Sequence, residues 1–588
     1  MVSILAGVDT GGTFTDIVLL QEGKMTVHKV LSTPDDPSRS IISGLQGSDA
    51  LNGLRVLVHG STVATNAVLE RKGAMTGLIT TAGFRDVLEI GRQTRPKLYD
   101  MRVQKIPPLV PRTRRLEVTE RLNERGEVLI PLDESSVEAA LKMLQEAGVE
   151  AVAISLLFSF ANPEHEQQVA AFIRSTGLYV SASCEVLPEF REYERTSTVV
   201  LNAYVGPLID RYLARLERTL PEACTLRIMQ SNGGSISSAM ARREAARTLL
   251  SGPAAGVVGA AFVAQASGYT RIITLDIGGT STDVALVDEV MTETTEGKIG
   301  GYPTKLPMID IHTVGAGGGS IAWFDAGGVL RVGPTSMGAD PGPAAYGRGG
   351  QEATVTDAHV VLGRLLPEAF LSGSMQLEPE RALAVVSRLA QRLETSEEEA
   401  ASGIIRVVNA NMEAAIRVIS VERGCDPRHF TLVAFGGAGP LHACELAAAL
   451  RIPRVLIPAT PGVLSALGML LADTLKDYVR TIMVPAEESQ KLVNSTLAEL
   501  EEIGRRDLAR EGIPAEQIVI EPSLDLRYVG QSYELNIPFE GDMVDASAAF
   551  HRAHERRFGY SDPNERIQVV NVRLKARGLN TYPALERQ

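Results

Sequence analysis

The chain has 588 residues, 44% apolar and 22% charged, with 54 glycines and 30 prolines. At roughly 150 residues per domain this is material for about four domains and several cores, which excludes a small module, a disordered chain and a low-complexity one. The net charge of −13 leaves no positive field to hold a nucleic-acid backbone or an anionic membrane.

In chain order the pattern is that of an α/β protein. Ile4 to Val8 and Ile17 to Leu20 are short apolar strands around a glycine turn. The first apolar run ends at Asp9 with no basic region before it, so no secretory signal is expected and the cytoplasm is the expected location. Ser136 to Gly148 has helical periodicity and leads into an apolar strand, Ala151 to Phe158. A long helix is expected after Thr198, with Leu201, Tyr204, Val205, Leu208 and Tyr212 on its apolar stripe and Pro207 as a kink, and it is the expected joint between two lobes. Thr248 to Thr270 and Val455 to Ala472 approach bilayer length, but their glycines and prolines suit buried helices and turns. From about residue 481 the texture changes to a charged helix, Glu487 to Glu511, and alternating strands near Leu524 and Leu535. The expected division is 1–200 and 201–480 for two lobes and 481–588 for a smaller α+β unit. Within that unit His551 and His554 adjoin Glu555, Arg556 and Arg557 and read as a solvated helix face. Cys184, Cys224, Cys425 and Cys444 are too widely spaced for a zinc knuckle or iron–sulfur cluster and read as buried reduced thiols, Cys444 included.

An internal repeat is more informative. Residues 6–20, AGVDTGGTFTDIVLL, match residues 273–287, ITLDIGGTSTDVALV, 267 residues later. One copy in each half predicts two lobes related by a pseudo-twofold axis. Glycine lacks the Cβ that keeps backbone away from a ligand, so consecutive N–H groups at such a turn can point at phosphate oxygens, and threonine adds a donor. Thr10, Gly11, Gly12 and Thr13 form the first expected phosphate loop, and Gly278, Gly279 and Thr280 the second. Asp9 and Asp276 are suited to hold Mg2+ through water and to serve catalysis. In VAFGGAGP (433–440), between a strand and the helix Leu441 to Leu450, Gly436, Gly437 and Gly439 can pass under a base or ribose. Gly317 and Gly318, in GAGGG (315–319), mark another close approach of backbone to ligand. This set resembles the actin-like ATPase superfamily, which implies a two-lobed ribonuclease H-like α/β fold with Mg-ATP in the cleft.

The resemblance narrows further. GVDTGGTFTDIV, HGSTVATNAVLERKGA (59–74), TTAGFRDVLEIGRQ (80–93), IHTVGAGGGSIA (311–322), GADPGPAAYGRGG (338–350) and AFGGAGPLHA (434–443) are similar to the hydantoinase A/oxoprolinase family over almost the whole chain. The family implies ATP-dependent opening of a cyclic amide such as a hydantoin, 5-oxoproline or a lactam, with the chain as one subunit of a hetero-oligomer beside a hydantoinase B-type partner. Acetone-type carboxylase subunits are close relatives. A non-enzymatic ATP-driven activator is a third reading, weakened by the missing cluster cysteines. The chain ends at Gln588, before the family's usual C-terminal continuation, a region expected to pack on the third unit or on a partner.

Within that frame His59, at a strand end, is either catalytic or a histidine hydrogen-bonded beneath a turn, with Thr62 and Asn66 as polar contacts to the amide. Asp310 precedes His312 and the glycine run. His312 and Asp340 belong either to the site, for metal or proton transfer, or to the stapling of their loops. Arg92 and Arg95 either clamp phosphate or substrate carboxylate or are solvated.

Overall fold

The computed structural model describes residues 3–12, 14–33, 36–94, 99, 105–373 and 375–581. In the first lobe β1 (Ile4–Thr10), β2 (Phe14–Gln21) and β3 (Lys24–Leu31) form an antiparallel meander. Helix α1 (Pro37–Gly47) starts where the Asp36 carboxylate accepts the Ser38 N–H, and proline occupies a position where its missing N–H loses nothing. The chain then enters β4 (Leu54–Ser61), parallel to β1. An inserted four-stranded parallel sheet, built from 76–81, 115–118, 151–155 and 179–182, and helix α2 (Glu192–Thr219) precede β5 (Thr225–Met229), parallel to β4. The core order is β3-β2-β1-β4-β5.

Helix α2 is not the joint between lobes. Its Val199, Leu201, Val205, Leu213 and Leu216 pack in the same core as Ile4, Val8 and Ile17, so it belongs wholly to the first lobe. The connection is α3 (Ser251–Ala266), a largely apolar helix whose first ten residues are mostly buried.

The second lobe repeats the pattern. β6 (Arg271–Ile277) and β7 (Thr282–Asp288) form the second hairpin, and β8 (Ile311–Val314) pairs antiparallel with β7. Helix α4 (Glu397–Ile419) leads to β9 (Thr431–Phe435), parallel to β6, then α5 (Gly439–Leu450), β10 (Val455–Leu456) and α6 (Leu464–Leu471). Between β7 and β8 the segment 292–310 reaches back to the first lobe, where Ser197 Oγ donates to the Pro303 carbonyl (2.7 Å) and Tyr302 OH to that of Pro107 (2.8 Å).

The two sheets share one core on α3 and α6. Val18 and Leu20 of the first hairpin, Ile272 and Ala285 of the second, and Ala254, Val257, Leu464 and Leu467 of the helices are all buried there. The helices approach through glycine: a Cβ on Gly259 would stand 2.6 Å from the Leu464 carbonyl oxygen, and one on Gly468 would overlap that of Ala255. Among the described residues no helix is long and apolar enough to cross a membrane.

The C-terminal region is less separate than its composition implies. Its first strand, β11 (Thr474–Pro485), starts before residue 481 and pairs with 235–237 of the first lobe. With β12 (Ile518–Tyr528), β13 (Leu535–Pro538) and β14 (Ile567–Gly578) it extends the first-lobe sheet to ten strands, flanked by α7 (Ala486–Arg510) and α8 (Met543–Phe558). His554, expected on a solvated face, is buried among Tyr528, Phe550 and Phe558, and His551 bonds Tyr528 OH at 2.7 Å. The four cysteines are free; Cys444 is exposed and the other three are half-buried.

Candidate functional site: a cleft between two glycine hairpins

Asp9 pairs with Asp16 across β1 and β2, and Asp276 with Asp283 across β6 and β7. Residues directly opposite in an antiparallel pair share a face, so each hairpin presents two carboxylates. The hairpins oppose each other: burial first, then Asp283, Asp9 and Asp16, hold the Asp276 carboxyl well above the ordinary range. Burial and Asp16 push Asp9 up to about 7, and burial pushes Asp283 up to about 6 against the Thr313 hydroxyl, which donates to it at 2.5 Å. Burial raises Asp16 too, moderated by Lys29 at 2.5 Å. A concentration of acidic groups this unfavourable to ionise is suited to a bound cation.

Glycine lets backbone approach these carboxylates closely. A Cβ on Gly252, in the first turn of α3, would stand 3.1 Å from Asp9 Oδ1. Gly436 has a φ of +78°, and a Cβ there would overlap Asp276 Oδ1.

The two phosphate-loop candidates are alike in detail. The Gly11 N–H donates to the Phe14 carbonyl and that of Gly278 to Ser281, each at 3.0 Å. The next residues, Gly12 and Gly279, are exposed and have open space on the side where a Cβ would stand. Among the described residues the N–H groups of Gly12, Gly279 and Thr280 make no hydrogen bond within the protein. Gly437 is the third such tip, exposed and open, between Gly436, whose N–H donates to the Pro461 carbonyl, and Gly439, which opens α5. Thr13 lies outside the described residues.

Gly317 and Gly318 differ from the expectation. They are buried under the second loop, where the Gly318 N–H donates to the Gly278 carbonyl (3.0 Å), that of Gly319 to Gly279 (2.7 Å) and that of Gly317 to Ser320 Oγ (2.9 Å). A Cβ on Gly317 would stand 2.8 Å from the Thr280 N. Their N–H groups are spent on the protein, so the close approach is of backbone to backbone, and the run buttresses the second loop.

Other expected site residues are placed elsewhere. His59 is fully buried, with Nδ1 at 3.0 Å from the Val8 carbonyl and Nε2 at 2.6 Å from Tyr212 OH. Both nitrogens are engaged and burial lowers its pKa to about 4, so it is a structural histidine with none left to move a proton. His312 is opposite Val284 on β8 and shares its face, the reverse of the Asp283 face; Thr313 takes the place beside the carboxylates. Thr10 is buried with its hydroxyl unpartnered, and its carbonyl accepts from Thr62 Oγ1 at 3.3 Å. Asn66 and Asp340 are exposed. Asp310 is ion-paired with Arg423. Arg92 is held bidentately by Glu194, both contacts at 2.6 Å, and Arg95 lies outside the described residues. Sequence reading missed Asp16, Asp283, Lys29 and Thr313 as site residues, although the second aspartate of each repeat and the two-residue Glu22–Gly23 turn, which sets Lys29 against Asp16, were legible signals.

The open N–H groups and the acidic quartet fit a polyphosphate with a cation. Among the described residues no three His, Cys, Asp or Glu groups converge to hold a metal directly.

The chain matches the family model of the hydantoinase/oxoprolinase N-terminal region over residues 5–177 and that of hydantoinase/oxoprolinase over residues 195–478. The alpha subunit of caprolactamase from Pseudomonas jessenii is 38% identical over 96% of this chain and 86% of its own length. A 5-oxoprolinase of Saccharomyces cerevisiae is 35% identical over 98% of this chain, which spans 49% of that enzyme. Among solved structures, the ATP-dependent caprolactamase of Pseudomonas jessenii superposes with a TM-score of 0.87 at 36% identity, covering 98% of this chain and 88% of that one. Nucleotide-free acetone carboxylase superposes with a TM-score of 0.80 at 29% identity, covering 100% and 89%. With both lobes in strand order β3-β2-β1-β4-β5 or its counterpart, and with family motifs and relatives matched along most of its length, the chain belongs to the hydantoinase/oxoprolinase family.

Proposed function

We propose that this chain is the ATP-using subunit of a complex that opens a cyclic amide. The observation that carries the reading is the opposition of two glycine turns with open N–H groups across four aspartates. An amide carbonyl is a weak electrophile, and ATP supplies the phosphoryl group that makes its carbon accept water, so that the ring C–N bond breaks and ADP and phosphate are released. The chain's share is positioning and charge neutralisation. Gly12, Gly279 and Thr280 offer N–H donors to phosphate oxygens, Gly437 leaves room beside α5 for base or ribose, and Asp9 and Asp276 hold Mg2+ through water. Asp16 and Asp283 back those two carboxylates. The names of the relatives support the reaction class, since one is a caprolactamase subunit and another a 5-oxoprolinase. The subunit naming of relatives supports a hetero-oligomer, and a hydantoinase B-type chain is the partner this reading expects.

A carboxylase subunit is the second reading, favoured by the likeness to acetone carboxylase. The complex should be incubated with ATP and a panel of hydantoins, 5-oxoproline, lactams and ketones with bicarbonate, with ADP, AMP and phosphate measured. ADP and phosphate released only with a cyclic amide, and lost in Asp9→Asn, are the expected result. Bicarbonate-dependent ATP use with a ketone, or AMP as main product, transfers the protein to the carboxylase reading.

A further inference from the structure

Lys29 stands opposite Asp16 in the β2–β3 register. Its Nζ donates to Asp16 Oδ1 at 2.5 Å and to the Gly462 carbonyl at 3.3 Å. These acceptors belong to different lobes. Gly462 lies in the turn 461–463, whose Pro461 carbonyl accepts the N–H of Gly436, the glycine against which Asp276 rests. The ammonium also lies 5.2 Å from the centroid of the Phe14 ring, and its charge acts on Asp9, Asp16 and Asp276. One lysine thus reaches the first hairpin, the second lobe and the acidic cluster.

The counterpart in the second lobe has no cation. Asp283 is opposite Thr313, which is neutral. The hairpin repeat is broken at this register position, where a strand-edge role does not call for a charge. The Lys29 side chain is 29% exposed, and of its three donors two are used among the described residues. A flexible ammonium with a donor to spare can change partners, which a rigid fork does less readily.

We propose that Lys29 is the exchangeable counter-ion of the cleft. Without a divalent cation it neutralises Asp16 and ties the first hairpin to the 461–463 turn. When a divalent cation takes up the acidic charge, Lys29 gives up Asp16 and binds the terminal phosphate oxygens of a nucleoside triphosphate. This rests on the reading of the cleft as an ATP site.

The test needs no cyclic amide. Mn2+ affinity of the nucleotide-free full chain is measured by electron paramagnetic resonance, and affinities for ADP and a non-hydrolysable ATP analogue by calorimetry. Wild type is compared with Lys29→Met, Lys29→Gln and Lys29→Arg, the two neutral variants guarding against a folding defect in either. Loss of the charge should tighten Mn2+ binding about tenfold and weaken the analogue about tenfold, with ADP within about twofold of wild type. Lys29→Arg keeps the charge and should hold Mn2+ affinity near wild type, while its rigid fork exchanges partners less readily and should bind the analogue more weakly than lysine does. Unchanged Mn2+ affinity in the neutral variants, or equal losses for ADP and analogue, overturns the role of Lys29 and leaves the ATP site standing. A wild-type chain that binds neither nucleotide overturns the ATP reading itself, and this proposal with it.

Discussion

The carboxylate of Asp276 rests against the Cα of Gly436, from the turn between β9 and α5, so the second hairpin and the third glycine turn are one packed unit. This contact separates two neighbouring glycines. Gly436→Ala meets both a φ of +78° and the Asp276 oxygen, and should cost about 1–3 kcal/mol of stability and weaken nucleotide binding. Gly437→Ala meets nothing in the protein and should leave the thermal midpoint unchanged. Thermal melts and nucleotide titrations on both variants check the assignment, which equal destabilisation would refute.

The aspartates predict an unusual pH dependence. The Asp9 carboxyl titrates near 7 in the folded chain against 3.8 for an unperturbed one, so between these values the folded state holds a proton that the unfolded state has lost. Stability from this group falls as pH rises through that window. Asp283, at about 6, adds to the slope. In cation-free buffer Asp9→Asn should flatten the decline between pH 5 and 8 by on the order of a few kcal/mol, and with Mg2+ restored it should abolish ATP-dependent turnover. Melting curves across that range measure it, and an equally steep decline in the variant would count against a raised Asp9.

Buried histidines act in the opposite direction. His59 at about 4 and His442 at about 4 are protonated first in the unfolded chain as pH falls, so their contribution is lost from about pH 6.5 down to about pH 4. His442 is held at Nδ1 by Asn409 (2.6 Å) and at Nε2 by His359 (3.1 Å). His59→Phe leaves the Val8 carbonyl and Tyr212 hydroxyl unmet and should cost about 1–3 kcal/mol in denaturant unfolding without changing nucleotide affinity. Lost affinity with stability intact would restore a catalytic His59.

The lobes meet through small residues, so enlarging one should act on the joint. Gly468→Val drives a side chain into the Ala255 carbonyl on α3 and should destabilise the chain by about 1–3 kcal/mol or more. Splitting of the calorimetric transition into separate lobe transitions is the expected signature, and an unchanged single transition would contradict a glycine-dependent joint.

Much of the cleft was legible because its chemistry is local. An Asp-x-Gly-Gly-Thr turn between two apolar runs reads as a hairpin with a glycine-rich tip, and its recurrence 267 residues later implies the second lobe. The fold class and the family followed from those segments. Only the tertiary structure decided which face each residue takes and what backbone lies beneath it. His59 is on a strand end as expected, yet its ring bonds the Val8 carbonyl on β1 and a tyrosine on α2, contacts between segments far apart in sequence. Gly317 and Gly318 have the composition of a ligand loop, but packing against Gly278 and Gly279 spends their N–H groups. Helix α2 and the strands after residue 474 carry patterns that fix their type and not their partners, because an apolar stripe states only that a face must be buried. The choice of burial partner comes from long-range packing and sheet register, which here set Lys29 between the two lobes and a threonine at the matching place.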